Sequence, residues 1–369
     1  MAVKDECLVF DTKKLVKEIC KKESKKCGYE ITDDNILLKK IWGHRTKTLL
    51  PLKIKLLPST FGLIEGEGYV DNRSFVFANS NENMINQIIN FLDQFDVQLK
   101  FLLELSTKNM DNKFILESKN KWENVLEQKI DKIRIRDEFN NTTKKGTIHI
   151  WCNNSCIARV LQVIFREAKI SVEKDETLSK DYLKGILAAE GNVAVKKSTG
   201  CVYMVRISGK DRKERNHYKK CLERVGIKLY CKDMKTVDKN DKRSKNWKTN
   251  KGRAGCVIIS RWINFYKILS MGLLNIHKDK KMKFIKYFKN NKTTKWLLEF
   301  RNLRGRWLSM DGLKEIFGLK SRPRDRINKM ISLDFVDKKR VKNKNKHPLR
   351  VYRLNKKYFD FIEKLSDNS

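Results

Sequence analysis

Long apolar runs are missing from this chain: its hydrophobic stretches are short and soon interrupted by charge, so no segment reads as a membrane-spanning helix. Residues 1–14 lack the cationic-then-apolar layout of a secretion signal, and neither a lipidation motif nor an amphipathic anchor is visible. The expectation is a protein with no membrane partner that works inside a cell, whether in cytoplasm, nucleus or organelle. A disulfide framework is also missing: nine cysteines, an odd number without a secretion signal, read as reduced thiols. Zinc-finger spacing is absent too. Only His149, Cys152 and Cys156 lie close enough to suggest a site, no second ligand pair follows, and buried thiols at a strand-to-helix junction are the preferred reading.

Acidic residues are scarce relative to basic ones, 44 against 82, and the formal net charge is +38. With 40% hydrophobic residues the chain is too apolar for a disordered polycation. A folded protein with this imbalance calls for a polyanionic partner. Nucleic acid is the first choice, because basic side chains that neutralise phosphates release condensed counterions.

The length of 369 residues suggests two or three units of ordinary domain size. Residues 1–50 read as an N-terminal extension with a helix over 12–22 and a basic stretch over 39–47. Residues 51–170 read as a first repeat: a helix over 59–65, strand-like runs over 69–79, an amphipathic helix over 82–95, a strand over 97–105, a helix over 122–129, a hairpin of 132–139 with 147–152, and a helix over 155–168. The same order returns in 175–290, with a helix over 179–189, strands over 193–197 and 202–208, a helix over 213–225, strands over 228–233 and 256–260, and a helix from Trp262. Residues 293–369 read as helices over 295–303, 310–317 and 324–331, then strands over 335–341 and 350–354 around a very basic tip. That is the outline of a winged helix-turn-helix, whose recognition surface would include Lys320, Arg322, Arg324 and Arg326.

The chemistry concentrates in two strings, residues 61–68 and 184–191. Superposed, they share a small residue, three positions, a second small residue, Glu, then Gly: Gly62, Gly66, Glu67, Gly68 in the first and Gly185, Ala189, Glu190, Gly191 in the second. Small residues four apart share a helix face and let two backbones approach. Each glutamate then falls at a helix end, where the following glycine suits a left-handed C-terminal cap. Packed face to face, the helices bring Glu67 and Glu190 side by side, and two neighbouring carboxylates either share a proton or hold divalent cations. In so basic a chain the cation is the more economical reading. Glu65 faces Ala188 in the superposition, so only Glu67 and Glu190 form a repeated pair. A nucleotide-binding loop is set aside, since no Lys-Ser or Lys-Thr and no Rossmann spacing follows these glycines.

These two strings and the repeated element order resemble the single-chain, two-repeat LAGLIDADG homing endonucleases over roughly residues 50–290, with Phe61, Glu65, Lys184 and Ala188 departing from the motif. The resemblance implies an α+β fold: two pseudo-symmetric αββαββα repeats, motif helices at the centre, and two curved antiparallel sheets forming a saddle over the DNA major groove. It implies that Glu67 and Glu190 bind metal, Mg2+ or a substituting divalent cation, with help from the carbonyls of Gly66 and Ala189. It also implies hydrolytic cleavage of both strands of a long target site with short 3′ overhangs, by a monomer acting as a pseudo-dimer. Basic residues near the scissile phosphates are part of the pattern, and Lys280 and Lys281 are weak candidates for them.

The sheets should supply base contacts. Arg134 and Arg136 alternate along one expected strand, and Lys228, Tyr230 and Lys232 along another, so each set shares a face. The basic stretches 235–251 and 338–346 read as loops that contact backbone phosphates. Two further functions remain open on the same scaffold: a non-catalytic DNA-binding transcription regulator, and a maturase whose partner is intron RNA. Retention of both glutamates favours the enzyme.

Overall fold

The computed structural model describes residues 7–23, 28–40, 48–106, 112–136, 146–196, 198, 201–233, 255–289, 294, 305–317, 323–332, 334–342, 348–358 and 360–361. The basic stretches 41–47, 234–254 and 343–347, the expected helix over 295–303, and Lys320 and Arg322 lie outside them. Contacts divide the chain into two compact units. One is Met1–Asn192 with Arg206–Ile259 and Met271–Lys278; the other is Val193–Val205 with Ser260–Ser270 and Asp279–Ser369.

In the first unit an N-terminal part contributes β1 (Leu8–Asp11), α1 (Thr12–Glu23), β2 (Gly28–Ile31), β3 (Asn35–Lys40), β4 (Thr48–Pro51) and β5 (Lys53–Leu56), arranged as an antiparallel pair β1-β5 and a three-stranded sheet β2-β3-β4. The first repeat then runs α2 (Pro58–Glu67), β6 (Gly68–Val70), β7 (Phe75–Asn79), α3 (Glu82–Leu92), β8 (Lys100–Ser106), α4 (Asn112–Leu126), β9 (Lys132–Arg136), β10 (Thr147–Cys152) and α5 (Ser155–Lys174). The second runs α6 (Glu176–Ala189), β11 (Gly191–Lys196), β12 (Cys201–Gly209), α7 (Arg212–Arg224), β13 (Leu229–Asp233), β14 (Gly255–Ile259) and α8 (Trp262–Ser270). The sheets have orders β6-β7-β10-β8-β9 and β11-β12-β14-β13. Apart from β9 these are one topology used twice, an α+β arrangement.

Local chemistry sets the helix starts. Asn81, Asn154, Asp175 and Asp211 sit at the N-caps of α3, α5, α6 and α7, each with a side-chain oxygen accepting a first-turn backbone N–H. Helix α5 continues six residues past the expected end at Ala168, to Lys174, and only Asp175 separates it from α6. Helix α3 buries Met84, Ile85, Ile88, Ile89, Phe91 and Leu92, the stripe that a 3.6-residue period dictates. In the sheet, Phe75, Phe77, Phe101, Leu103, Leu105, Ile148, Ile150 and Cys152 point inward in strict alternation and are essentially fully buried.

The expected hairpin of 132–139 with 147–152 does not form. Strand β10 lies between β7 and β8, antiparallel to both, while β9 pairs parallel with β8 at the sheet edge. Parallel neighbours need a crossover, and α4 supplies it. Asp131, just before β9, fixes the docking: its carboxylate accepts the N–H of Phe101 at 2.7 Å and its own N–H donates to the Phe101 carbonyl at 2.9 Å. Alternation alone does not distinguish a hairpin partner from a crossover partner, so the sequence pattern misled here.

The thiol reading also needs a correction. Cys7, Cys152, Cys156, Cys221, Cys231 and Cys256 are free, but Cys20 on α1 is disulfide-bonded. Cys152 and Cys156 are buried where β10 passes into α5, and burial pushes the Cys152 thiol up to about 11.

The second unit gathers on α8. Trp262 is buried and donates its indole N–H to Thr294 at 2.7 Å; around it lie Tyr266, stacked at 5.9 Å, and Phe335, edge-on at 4.8 Å. After α9 (Lys278–Lys289) come β15 (Leu308–Ser309), α10 (Met310–Phe317), α11 (Pro323–Ser332), β16 (Val336–Val341) and β17 (Leu349–Leu354), the strands forming a sheet of order β15-β17-β16. Lys339 and Arg353 lie over the Trp307 ring at 4.2 and 4.5 Å from its centroid. No helix among the described residues is long and apolar enough to cross a membrane.

In the first unit α2 and α6 approach to backbone contact. A Cβ on Gly62 would collide with the Tyr182 carbonyl oxygen and reach 2.9 Å from the Ile186 nitrogen; one on Gly185 would collide with the Ser59 carbonyl oxygen and reach 2.7 Å from the Leu63 nitrogen. Both obstacles are backbone, so neither can yield by a rotamer change. Gly185→Ala should therefore lower unfolding free energy by about 3 kcal/mol or more, the upper end for overpacked positions. Gly28→Ala, where nothing lies within 4 Å of the new atom, should be close to neutral in the same denaturant titration.

Candidate active site and nucleic-acid face

Helix α2 is enclosed over its first two turns, where Pro58 through Ile64 are all buried. Proline opens it, supplying a fixed φ where an N–H would have no partner. Ser59 donates its backbone N–H to the Asp181 carboxylate of α6 at 2.9 Å, and Lys184 holds the other oxygen of that carboxylate at 2.8 Å. The start of α2 is thereby tied to α6, and the glycine contacts bring the two axes together along their length.

At the other end the contact passes into the acidic pair. A Cβ on Gly66 would meet the Ala189 methyl at 2.5 Å and the Glu190 Cγ at 3.3 Å. The end of one motif helix thus lies directly against the glutamate of the other. Glu67 is exposed at the last position of α2, and Glu190 is half-buried at the C-cap of α6 with its N–H donated to the Ile186 carbonyl at 2.8 Å.

The expected left-handed caps are not found. Gly68 sits at φ −95 and ψ 158, and Gly191 also lacks a positive φ. Glycine is needed for a different reason: a Cβ on Gly68 would lie 2.6 Å from the Ile64 carbonyl oxygen, and one on Gly191 would strike the Leu187 carbonyl oxygen. Each helix turns straight into a strand at that residue, which leaves no room for a side chain.

The donor set suits a hard divalent cation: two carboxylates and the carbonyls of Gly66 and Ala189 at abutting helix ends, all oxygen. Among the described residues no group of three or more His, Cys, Asp or Glu is placed to hold a metal ion by itself. A cation held by these oxygens would therefore draw further ligands from phosphate or water.

Glu65, which has no counterpart acid in the second motif, is engaged from three sides. Tyr182 donates to it at 2.5 Å, Lys169 of α5 forms an ion pair with it, and His217 Nε2 of α7 stands 3.4 Å away. His217 Nδ1 in turn lies 2.8 Å from Glu173, which also pairs with Lys220 at 2.8 Å. Burial alone would raise the Glu65 carboxyl, but the hydrogen bond and charge of His217, with Lys169, overcome it and hold the group at about 2. Burial, and then the charge of Glu65, push the Tyr182 hydroxyl well above its usual range. No residue spacing announces this cluster, because its members come from four helices.

The expected DNA-contacting residues lie where alternation places them. Arg134 and Arg136 are exposed on β9, as are Tyr230 and Lys232 on β13, with Lys228 exposed one residue before that strand. Glu104 of β8 approaches both arginines, at 3.9 and 3.0 Å, and His149 of β10 at 3.8 Å. Burial first, and then the two arginines, hold the His149 imidazole below its usual range despite the opposing pull of Glu104. Lys280 and Lys281 belong to α9 in the second unit, and Arg324 is exposed on α11, where Arg326 also lies.

The Glu65 cluster makes a pH-dependent prediction. A carboxyl at about 2 in the folded chain against 4.5 unperturbed contributes stability that is present above 4.5 and lost as pH falls towards 2. Glu65→Gln should cost about 3 kcal/mol at neutral pH by leaving Lys169 and His217 without their anion. It should also flatten the fall in stability between pH 4.5 and 2, read from denaturant midpoints of both proteins across that range.

Residues 177–270 match the LAGLIDADG-like domain model. No curated protein sequence matches the chain. Among solved structures, mesophilic variants of the homing endonuclease I-DmoI are similar at 12% identity and TM-score 0.34, over 59% of this chain and 94% of that one. The complex of I-DmoI with DNA and Mn gives 12% and 0.34, over 58% and 94%. Full-length DUF199/WhiA from Thermatoga maritima gives 13% and 0.34, over 75% of this chain and 88% of that one. The segment that matches this model holds most of α6, with Glu190, and the strands and helices that follow as far as α8.

Proposed function

We propose that this chain is a site-specific double-strand DNA endonuclease of the homing type, in which Glu67 and Glu190 are the catalytic carboxylates. The observation that carries this reading is the approach of Gly66 to Ala189 and Glu190, because it sets the two repeated acids at the junction of two helix ends. A net charge of +38 supports duplex DNA as the partner, and the monomer already holds both halves of a two-strand site.

Glu67, Glu190 and the carbonyls of Gly66 and Ala189 would hold Mg2+ or a similar divalent cation, which when bound activates water and stabilises a leaving oxygen. The chain's own share is positional. The glycine contacts of α2 with α6 fix the spacing of the two carboxylates, and the basic exposed strand residues hold the duplex so that each scissile phosphate faces its acid. Arg134, Arg136, Lys228, Tyr230 and Lys232 are assigned to the groove and backbone.

Residues 293–369 are assigned as a winged helix-turn-helix that lengthens the contact. Support comes from the succession β15, α10, α11, β16, β17 and from exposed Lys338 and Arg340 on β16. Lys280 and Lys281 keep their assignment as auxiliary basic residues near the phosphates. The domain limits 51–170 and 175–290 follow the two passes through the repeat.

Cleavage of a randomised duplex library with Mg2+ should yield one recurrent site with paired short 3′ overhangs. Glu67→Gln and Glu190→Gln should each abolish double-strand cutting and leave affinity within a few-fold. Undiminished cutting by both variants would remove the site assignment. Selective duplex binding without cutting by the native chain would point to a DNA-binding regulator instead, and selective retention of folded intron RNA to a maturase. Replacing Lys338 and Arg340 with Gln should lower the salt dependence of log affinity by about one for each phosphate no longer neutralised. An unchanged salt slope would remove the tail from the interface.

A further inference from the structure

Basic residues drop out of one segment. In a chain with 82 lysines and arginines among 369 residues, none lies between Arg73 and Lys100, a stretch that holds eight asparagines and glutamines. Much of it is α3, whose apolar stripe is buried while Asn83, Asn86 and Asn90 are exposed and Gln87 is half-buried. Those four positions follow the i, i+3, i+4, i+7 spacing of one helix face, a row about 10 Å long. A face that served only to attract phosphate backbone would be basic, and this one is not.

The row forms one wall of a cavity of about 390 Å³, which Leu57, Thr60, Phe91, Lys55 and Cys7 also line. Protein contacts fix both ends of that wall. Gln87 donates its two side-chain N–H groups to the hydroxyls of Ser59 and Thr60, at 3.1 and 2.9 Å, and so ties α3 to α2. Gln94, in the turn after α3, accepts the Lys55 backbone N–H at 2.9 Å and donates to the Lys55 carbonyl at 2.8 Å, which ties the other end to β5. The cavity is therefore preformed, and its volume falls within the range of small-ligand sites.

The uncommitted groups define what fits. Among the described residues, Asn83, Asn86 and Asn90 have no side-chain hydrogen-bond partner and Lys55 has no ion pair, while Gln87 keeps its carbonyl oxygen. Each free carboxamide offers a donor beside an acceptor, the complement of a nucleobase edge on which an N–H stands next to a ring nitrogen or a carbonyl. Lys55, at the Gln94 end, supplies a single positive charge, and no acid is among the described lining residues. One phosphate suits that charge: a polyphosphate calls for more cations, and a neutral sugar would leave the lysine without a counter-charge. Leu57 and Phe91 give apolar surface for a ring.

We propose that this cavity binds a nucleoside monophosphate, with its base on Asn83, Asn86 and Gln87 and its phosphate at Lys55 and Asn90. The nucleotide is either free or an unpaired residue of a single strand. Helix α3 covers the inward face of the first sheet, and Arg134 and Arg136 lie with Glu104 on the outward one, so the site is separate from the duplex contacts assigned above. Thr60 lies near the start of α2 and Glu67 at its end, so the site is separate from the candidate catalytic acids as well. It stands independently of the endonuclease reading.

Cys7 lines the cavity and Cys231 is an exposed thiol on β13, so their alkylation rates in the full chain, read by peptide mass spectrometry, give a local and a reference signal. The probes are the monophosphates of the common nucleosides, their nucleosides, ribose 5-phosphate and short single strands of one base. At about ten times the midpoint of its titration, at least one monophosphate should slow Cys7 about tenfold and leave Cys231 within about twofold. Ribose 5-phosphate, which carries the phosphate without a base, should not protect. Lys55→Gln should remove the advantage of the monophosphate over its nucleoside, and the double variant Asn83→Ala, Asn86→Ala should abolish protection, each compared with its own unliganded rate. Protection by the free nucleotide supports the site with a free ligand; protection only by a single strand supports it with an unpaired residue of a strand. Equal protection by ribose 5-phosphate, unchanged protection in both variants, or no protection by any nucleotide or strand overturns the site and leaves the endonuclease reading standing.

Discussion

Two backbones in contact, those of α2 and α6, set the terms for the rest of the first unit. Without Cβ atoms at Gly62 and Gly185 each helix can place a carbonyl oxygen against the other's backbone, a separation that any larger residue would forbid. Helix ends brought that close must carry small groups at the next turn, and Gly66 against Ala189 meets that requirement. The glutamates follow one residue later, so the spacing of the candidate catalytic acids is inherited from glycine packing about one and a half turns away. The following glycines, 68 and 191, let each chain leave its helix directly into the first strand of a sheet.

The pseudo-symmetry is broken by charge. Gln87 and His217 each stand six residues after the cap of the helix packed behind a motif helix, Asn81 in one repeat and Asp211 in the other. Gln87 donates to the hydroxyls of Ser59 and Thr60, at 3.1 and 2.9 Å. His217 instead approaches Glu65, which Lys169 and Tyr182 also engage, and the position equivalent to Glu65 in the second motif is Ala188. The helix behind the first motif therefore contributes neutral hydrogen bonds, and the helix behind the second joins a buried ionic cluster. A breach of the second costs more, because charges left unpaired away from water are expensive.

Much of the fold was legible from the sequence where a local rule governs it. Asn and Asp caps, the 3.6-residue stripe of α3 and the strict alternation of β7, β8 and β10 each depend on neighbours within a few positions. The reading went astray where distant partners decide: β9 joins the sheet in parallel through α4, and Cys20 is disulfide-bonded. The glycines at 68 and 191 were correctly singled out but for the wrong reason, since proximity to a carbonyl four residues back requires them, with no left-handed backbone. Glu65 has Ala188 as its counterpart, and a residue that matters through asymmetry is invisible to a comparison of repeats.

By itself the sequence determined the excess of basic charge, the duplicated order of elements, and the two glycine-acid strings with Glu67 and Glu190 at their ends. These properties are carried by composition and by spacing along one chain, so they survive without coordinates. Only the tertiary structure decided which acids meet which bases. It assembled Glu65, Lys169, Tyr182, Glu173 and His217 from four helices, and set Glu104 among Arg134, Arg136 and His149 from three strands. Electrostatic partnership depends on distance through space and on exclusion of water, and neither quantity is written in the order of residues.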